Sequence, residues 1–441
     1  MKIPQNNLYL KMITILILTF LLLIPSGMIQ NTISEREGTQ AEAIREVSSK
    51  WGDQQIITGP FISIPFTYYV KESMANNQDK LVQMTDYLHI MPKDLKISGN
   101  IIPSERKRGI YEVVVYESEL NLSGSFEKTD LSGYNLSDME LQPDKAEFVI
   151  GLNDLRGIEQ SVELVLGDSS FQFNPGVTSN QIVQTGIQAN IFFDPQAATT
   201  MNFKIAMKLK GSQLLYFTPV GEVTDITVNS AWSTPKFNGA FLPDERGTEG
   251  PGFDAHWNVL HLNRNFPQSW VGSRFSIQEA AFGIDLLVPV DNYQKTYRAV
   301  RYAILFIGFT FLVFFFIEVM TKKQIHLIQY ILNGFALIIF FTLLLSLSEH
   351  MSFNLSFFLS ALATLLLIGA YIKAILKSYR LTGLIVGFLT LLYSFIFVII
   401  QLEDYALLMG SIGIFLILAV LMFISRKIDW YQLNRSSGAD K

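Results

Sequence analysis

Five apolar stretches between Tyr302 and Ser425, joined by short connectors whose charge alternates by side, constrain this chain more than any other feature. The stretches are Tyr302–Met320, Ile328–Leu347, Phe353–Ala370, Leu381–Ile400 and Ala406–Ser425. Each has about the 20 residues that an α-helix needs to cross roughly 30 Å of hydrocarbon. Lys322 and Lys323 follow the first, Lys373, Lys377 and Arg380 follow the third, and Arg426 and Lys427 follow the last. The intervening connectors carry Glu349 with His350, and Glu403 with Asp404. Lys and Arg of short loops collect on the cytoplasmic side, so the basic connectors face inward and the stretch from Asn31 to Tyr297 lies outside. Trp430 and Tyr431 then fall at the inner interface, and Tyr302 and Tyr405 near the outer one, where amphipathic rings settle.

A sixth apolar stretch, Met12–Ile29, follows Lys2 and Lys11. It reads as a retained signal anchor. The alternative is a cleaved signal peptide, because Met12–Ile24 is short and ends at Pro25-Ser26-Gly27; no small-x-small cleavage site follows. The expected fold is a polytopic α-helical membrane protein of six transmembrane helices with a large, mainly antiparallel β extracytoplasmic domain. Its divisions are an N-terminal anchor (1–30), a β-rich outer domain (31–297), a five-helix membrane domain (298–425) and a cytoplasmic tail (426–441). Both termini are then cytoplasmic.

The outer stretch carries 21 Lys and Arg against 33 Asp and Glu, a balance of −12, while the remainder is +7. Net charge therefore argues against nucleic acid or anionic lipid as a partner of this domain. Arg106-Lys107-Arg108 is the local exception and reads as a solvated loop. The chain has no cysteine, which excludes disulfides, thiolate metal sites and cysteine nucleophiles.

Ser34-Glu35-Arg36-Glu37 has capping-box spacing, and Ala43, Ile44 and Val47 recur at helical spacing, so a short helix is expected before Gly52. Beyond it the pattern is strand-like. Met201, Phe203, Ile205, Met207 and Leu209 take one face of a strand and Lys204 and Lys208 the other. Tyr111–Tyr116, Ser161–Leu166, Gln188–Phe193, Gln213–Phe217 and Glu222–Val228 read similarly, which argues for a sandwich or related β fold. Met139–Lys145 and Pro243–Phe253 read as loops, and Trp232 and Trp257 as buried core residues.

Constellations that carry chemistry are sparse. Among His89, His256, His261, His326 and His350 there is no His-Glu-x-x-His spacing, and His256 and His261 would need a turn between them to share a metal. No Gly-x-Ser-x-Gly, Walker loop or dinucleotide fingerprint appears. Asp154-Leu155-Arg156-Gly157 reads as an ion-paired turn. Glu318 is the acidic residue within a span; it can snorkel to the interface or pair with Lys322. Asn333-Gly334 and Ser346 read as helix–helix contacts. In 291–301, with no Gly or Pro, Tyr293, Tyr297, Val300 and Arg301 can share one helical face. That segment is either a rigid outward extension of the next helix or an ordinary interfacial stretch. No catalytic, cofactor-binding or metal-binding residue is assigned, and no cofactor is expected.

Several segments together resemble the CreD family of bacterial inner-membrane proteins, also called cell envelope integrity proteins. They are Leu21-Leu22-Leu23-Ile24-Pro25, Gly59-Pro60-Phe61-Ile62-Ser63-Ile64-Pro65, Phe241-Leu242-Pro243 and Gly252-Phe253-Asp254-Ala255-His256-Trp257. Tyr293 to Leu305, Leu345-Ser346-Leu347-Ser348-Glu349-His350 and Arg426-Lys427-Ile428-Asp429-Trp430-Tyr431 complete the set, in order along nearly the whole chain. The resemblance implies an inner-membrane location, a periplasmic outer domain and a link to a two-component regulon, envelope integrity, colicin tolerance and β-lactam responses. It transfers no catalytic residue. The expected role is a non-enzymatic protein supporting the envelope, with the lipid bilayer and other envelope proteins as partners. A transporter or channel subunit is the alternative, and an enzyme on envelope polymers, needing converging carboxylates in a cleft, a third reading.

Overall fold

The structure, a computed structural model, describes residues 8–73, 79–134, 140–197, 199–247, 252–286, 292–321, 325–402 and 405–426. Lys322, Lys323, Glu403, Asp404, Lys427, Trp430 and Tyr431 lie outside them, as do Met139 and Asp291. The chain forms two compact units: Met1–Gln40 with Val290–Lys441, and Ala41–Pro289.

The first unit is helical. Among the described residues its elements are α1 (Leu8–Trp51, to Gln40), α2 (Asn292–Arg301), α3 (Ala303–Thr321), α4 (Leu327–Ser348), α5 (Phe353–Leu376), α6 (Tyr379–Gln401) and α7 (Ala406–Ser425). Five of these, α1 and α3 to α6, are long and apolar enough to cross a membrane; in α7 the described apolar stretch is Ala406–Ala419. Their core is aromatic: Phe306 of α3, Phe340 of α4, Phe357 of α5 and Tyr393 of α6 meet with ring centroids 4.6–6.3 Å apart.

α1 departs from expectation. It runs unbroken through Pro25 and Gly27, and Ser34 starts no new helix. Pro25 removes one backbone donor, yet the neighbouring Ser26 hydroxyl bonds the Leu22 carbonyl at 3.2 Å and Leu22 is fully buried, so packing holds the turn. The capping-box spacing is therefore a solvated helix face. α2 buries Tyr293, Thr296, Ala299 and Val300, not the expected face; Arg301 is exposed, its guanidinium 5.6 Å from the Tyr297 ring.

The second unit is a β-sandwich. In one sheet the central strand Gln55–Ser73 pairs with Ala146–Gly151 on one side and, along its length on the other, with Leu214–Thr218 and Asp79–Ile90. The other runs in the order Glu245–Gly247, Phe253–Leu260, Val223–Ser230, Asp94–Arg108, Tyr111–Phe126, Met201–Ser212, Glu163–Leu166, Ser169–Gln172. The sheets are mixed rather than purely antiparallel: Gln55–Ser73 runs parallel to Leu214–Thr218, and Val223–Ser230 parallel to Asp94–Arg108. Residue alternation reports which face is buried and carries no information about a neighbour's direction. Between the sheets lie Ile62, Ile64, Phe66, Phe148, Ile97, Leu122, Phe203 and Ile205, with Phe148 against Phe203 at 5.5 Å.

The strand Met201–Ser212 buries Phe203, Ile205, Met207 and Leu209 and exposes Lys204 and Lys208, as its alternation predicts. Trp257 is fully buried and Trp232 half-buried against the same core. The expected loops 139–145 and 243–253 include short strands, Glu140–Leu141 and Glu245–Gly247. Arg106-Lys107-Arg108 ends a strand and is not a loop: Arg106 lies over the Trp51 ring at 4.7 Å, Lys107 pairs with Glu112 at 2.9 Å and Arg108 with Glu46 at 3.0 Å.

Candidate functional site

In the helical unit, two ion pairs bind helices to each other. Glu318, near the C-terminal end of α3, pairs with Lys11 of α1. Lys11 also donates to the Ile325 carbonyl at 2.8 Å, and the Tyr330 hydroxyl of α4 donates to Glu318 Oε2 at 3.3 Å. The side chains are 25% and 12% exposed, so the pair is sheltered from water and each charge depends on the other. Lys322, the partner expected for Glu318, lies outside the described residues; the partner found, Lys11, is 307 positions away. Twenty-five positions along α1, Arg36 pairs with Glu349 at 3.5 Å, and Glu349 also accepts from the Tyr293 hydroxyl at 3.3 Å. Asn292 Nδ2 donates to the Ser348 carbonyl at 2.9 Å.

Between these two ionic ends, Gly334 of α4 lies beside the Leu22 side chain of α1. A Cβ there would run into the end of the Leu22 side chain, so the glycine leaves room for Leu22 to lie against α4. Asn333 is buried and donates to the Gln329 carbonyl at 2.7 Å, leaving Oδ1 without a partner. Ser346, expected at a helix contact, is exposed.

In the β unit, a polar row crosses the outer face of the first sheet. Ser63 and His89 are cross-strand neighbours, and both are fully buried. Ser63 Oγ lies 2.8 Å from His89 Nδ1, His89 Nε2 lies 2.9 Å from Gln181 Oε1, and Gln181 Nε2 donates to Asp86 Oδ1 at 2.8 Å. The carboxylate fixes the row: Gln181 turns its amide nitrogen to Asp86 and its oxygen to the ring, so Nε2 carries the proton and Nδ1 accepts from Ser63. Burial pushes the His89 imidazole down to about 4, so the ring is neutral near pH 7. A serine–histidine pair joined to a carboxylate resembles a nucleophile and its base, but a nucleophile must meet substrate. Ser63 has no exposed surface, and the row serves to hold the segment around Gln181. Beside it, Glu147 is buried with Oε2 unpaired, and burial raises its carboxyl above the usual carboxylate range. Among the five histidines nothing local in the sequence singles out His89, whose strand lies in a run with Asp86 and Tyr87; its partner Gln181 is 92 positions away.

The other candidates are placed as follows. His256 Nε2 lies 3.1 Å from Asp225 Oδ2 on the neighbouring strand, and His261 begins the turn His261–Asn263. Asp154 forms the expected ion-paired turn: Arg156 Nε and Nη2 donate to its two oxygens at 2.9 and 3.0 Å, and the Asp53 backbone N–H donates at 2.9 Å. Burial works to raise the Asp154 carboxyl, but Arg156 and the two backbone N–H donors outweigh it and hold it below the usual range. Trp270, not singled out from the sequence, is buried beside His89 with ring centroids 5.8 Å apart.

A family model described as "Inner membrane protein CreD" matches residues 7–431. The Inner membrane protein CreD of Escherichia coli (strain K12) is 32% identical over 436 residues, covering 98% of this chain and 95% of that protein. Among solved structures, a Legionella pneumophila protein of proposed nutrient-binding function aligns with 48% of this chain and 74% of its own at 9% identity and a TM-score of 0.25. An M1 zinc metallopeptidase of Deinococcus radiodurans aligns over 42% of each chain at 7% identity and a TM-score of 0.20. Structural likeness at that level carries no argument about this chain; the match in sequence, which runs almost end to end, does. The chain belongs to the CreD family of inner membrane proteins.

Proposed function

We propose that the chain is a six-span, non-enzymatic protein of the bacterial inner membrane, with both termini cytoplasmic and the β-sandwich periplasmic, that supports cell-envelope integrity through contact with an envelope partner. The observation that carries this reading is the use of charge in the helical unit. Lys11–Glu318 and Arg36–Glu349 sit about 38 Å apart along α1, at 1.5 Å per residue. That separation exceeds the ~30 Å hydrocarbon layer and fits within the ~40–45 Å that includes both headgroup regions. The two pairs thus clamp helices together at two levels along α1. Lys373, Lys377 and Arg380 at the α5–α6 connector favour the cytoplasm, and Glu349 at the α4–α5 connector the opposite side. Reporter fusions test the orientation: one after Lys377 reads as cytoplasmic and one after His350 as periplasmic, and an inverted loop breaks the six-span arrangement. In-cell crosslinking from the β unit, with mass-spectrometric identification, tests the role. Capture of envelope proteins, together with envelope sensitivity in a deletion strain, supports it; a deletion without any envelope phenotype overturns it.

The second reading is a transporter or channel subunit, favoured by Asn333 Oδ1 and Ser360 Oγ, buried polar atoms of α4 and α5 with no partner among the described residues. Solute flux into proteoliposomes that is abolished by Glu318→Ala would place this reading first.

A further inference from the structure

A cleft of about 820 Å³ opens in the β unit between three loops, 151–156, 180–185 and 273–278, with the start of the strand Gln55–Ser73 contributing to its wall. Its volume falls within the roughly 300–1,000 Å³ of small-ligand sites. Its chemistry is dominated by side-chain amides. Asn153, Asn180, Gln184 and Gln278 line it, all four are exposed, and no side-chain hydrogen bond to another described residue engages them. An amide donates and accepts at once, so a wall of free amides matches groups that also do both.

The loop 180–185 holds its amides on a fixed backbone. Residues alternate along it: Gln181 turns inward to His89 and Asp86, and Val183 is buried at the spot where Gly151 has no Cβ to obstruct it. Thr185 Oγ1 donates to the Leu152 carbonyl at 2.6 Å. Asn180 and Gln184, the outward members, are therefore presented by a loop pinned at three points, and a ligand meets groups whose backbone is already ordered. The buried polar row thereby acquires a purpose as the anchor of this wall.

Charge narrows the ligand further. The cation in the cleft, Arg156, is held by both oxygens of Asp154, with Asp53 alongside, in an outer stretch (31–297) whose balance is −12. Phosphates and polyanions are disfavoured there. An extended peptide would pair with an open strand edge and set alternate side chains in pockets; this cleft offers loops and amides instead. Phe275, half-buried against Trp270 at 5.6 Å, supplies an aromatic surface at the rim for the C–H face of a sugar ring.

We infer that this cleft binds a neutral glycan bearing acetamido groups, the class of ligand whose hydroxyls and amides both donate and accept. The inference rests on the periplasmic reading only for its biological meaning; binding by the purified chain is independent of location, so either can fail alone. The test is calorimetric titration of the full-length chain in phosphatidylcholine nanodiscs with tetra-N-acetylchitotetraose, and with maltotetraose, tetra-alanine and a heparin tetrasaccharide as comparisons. Saturable binding of tetra-N-acetylchitotetraose is expected, weakened roughly tenfold or more in Asn180→Ala/Gln184→Ala, as loss of two hydrogen bonds implies. Asn153→Ala/Gln278→Ala, on the other walls, provides a second variant if the first melts early. Absence of saturable binding up to millimolar concentration, unchanged affinity in both variants, or tighter binding of tetra-alanine or heparin overturns the inference. Equal binding of maltotetraose overturns the acetamido assignment.

Discussion

Acidification should loosen the β unit through one residue, His89. Its folded-state pKa lies near 4 because burial disfavours the imidazolium, against about 6.5 for an exposed histidine in the unfolded chain. The unfolded chain therefore takes up the proton first. The stability held by the neutral ring is complete above about pH 7 and is lost as pH falls toward 4. At about 1.4 kcal/mol per pH unit, the whole shift is worth roughly 3 kcal/mol, of which about 2 kcal/mol is gone by pH 5. Glu147, whose pKa is raised by burial, acts in the opposite sense: the folded state holds its proton more tightly, so its contribution improves as pH falls. Comparison with His89→Gln separates the two. Glutamine keeps an acceptor for Ser63 and a donor for Gln181 but cannot titrate. Hydrogen exchange of the full-length chain in nanodiscs, followed over residues 55–91 from pH 7.5 to 5, should show protection falling about 2 kcal/mol more in the wild type than in the variant. Parallel curves would refute the argument, because they would mean that His89 takes up its proton in the folded chain as easily as in the unfolded one.

Three further outcomes are expected. Lys11→Met and Glu318→Gln should each destabilise the helical unit by about 2 kcal/mol, below the ~3–5 kcal/mol of a fully buried pair because Lys11 is one-quarter exposed, and the double variant should lose less than the sum; additive losses in thermal unfolding in nanodiscs would show that the pair does not couple. Gly334→Val should lower Tm by driving a side chain into Leu22, whereas Gly383→Val, on an open helix surface, should leave it nearly unchanged; equal effects would deny that Leu22 packs on Gly334. Trp257→Ala should cost about 3–5 kcal/mol in the β unit and Trp232→Ala clearly less, since only the former is fully buried; the reverse order by denaturant unfolding would misplace the core.

What was legible in the sequence follows from the range of the interaction that encodes it. Met201–Leu209 declared its buried face because period-two alternation is written in consecutive residues. The central strand Gln55–Ser73 did not: Gly59, Pro60 and Pro65 punctuate it like loop residues, and it tolerates them because its partner changes along its length, with the register shifting between Thr58 and Phe61. α1 was misdivided for the same reason in reverse. Pro25 and the Ser34–Glu37 spacing are local stop and start signals, and tertiary packing of Leu22 on Gly334 overrides them. The two parallel ladders join segments more than a hundred positions apart, where no local pattern reaches.

The contrast between the two units has a physical origin in their solvents. A charge sheltered from water is expensive, and Glu318 and Glu349, each 12% exposed, have partners in Lys11 and Arg36. In the β unit most charged residues lie at the surface, where an ion pair is worth little. There the informative polar groups are the ones removed from water. Gln181, held by His89 and Asp86, is the clearest case: an amide that faces inward at the cost of its hydration is positioned by that row, and its neighbours Asn180 and Gln184 remain free to face outward. A sequence lists asparagines and glutamines without saying which are turned in. The fold does, and on that distinction the assignment of the cleft depends.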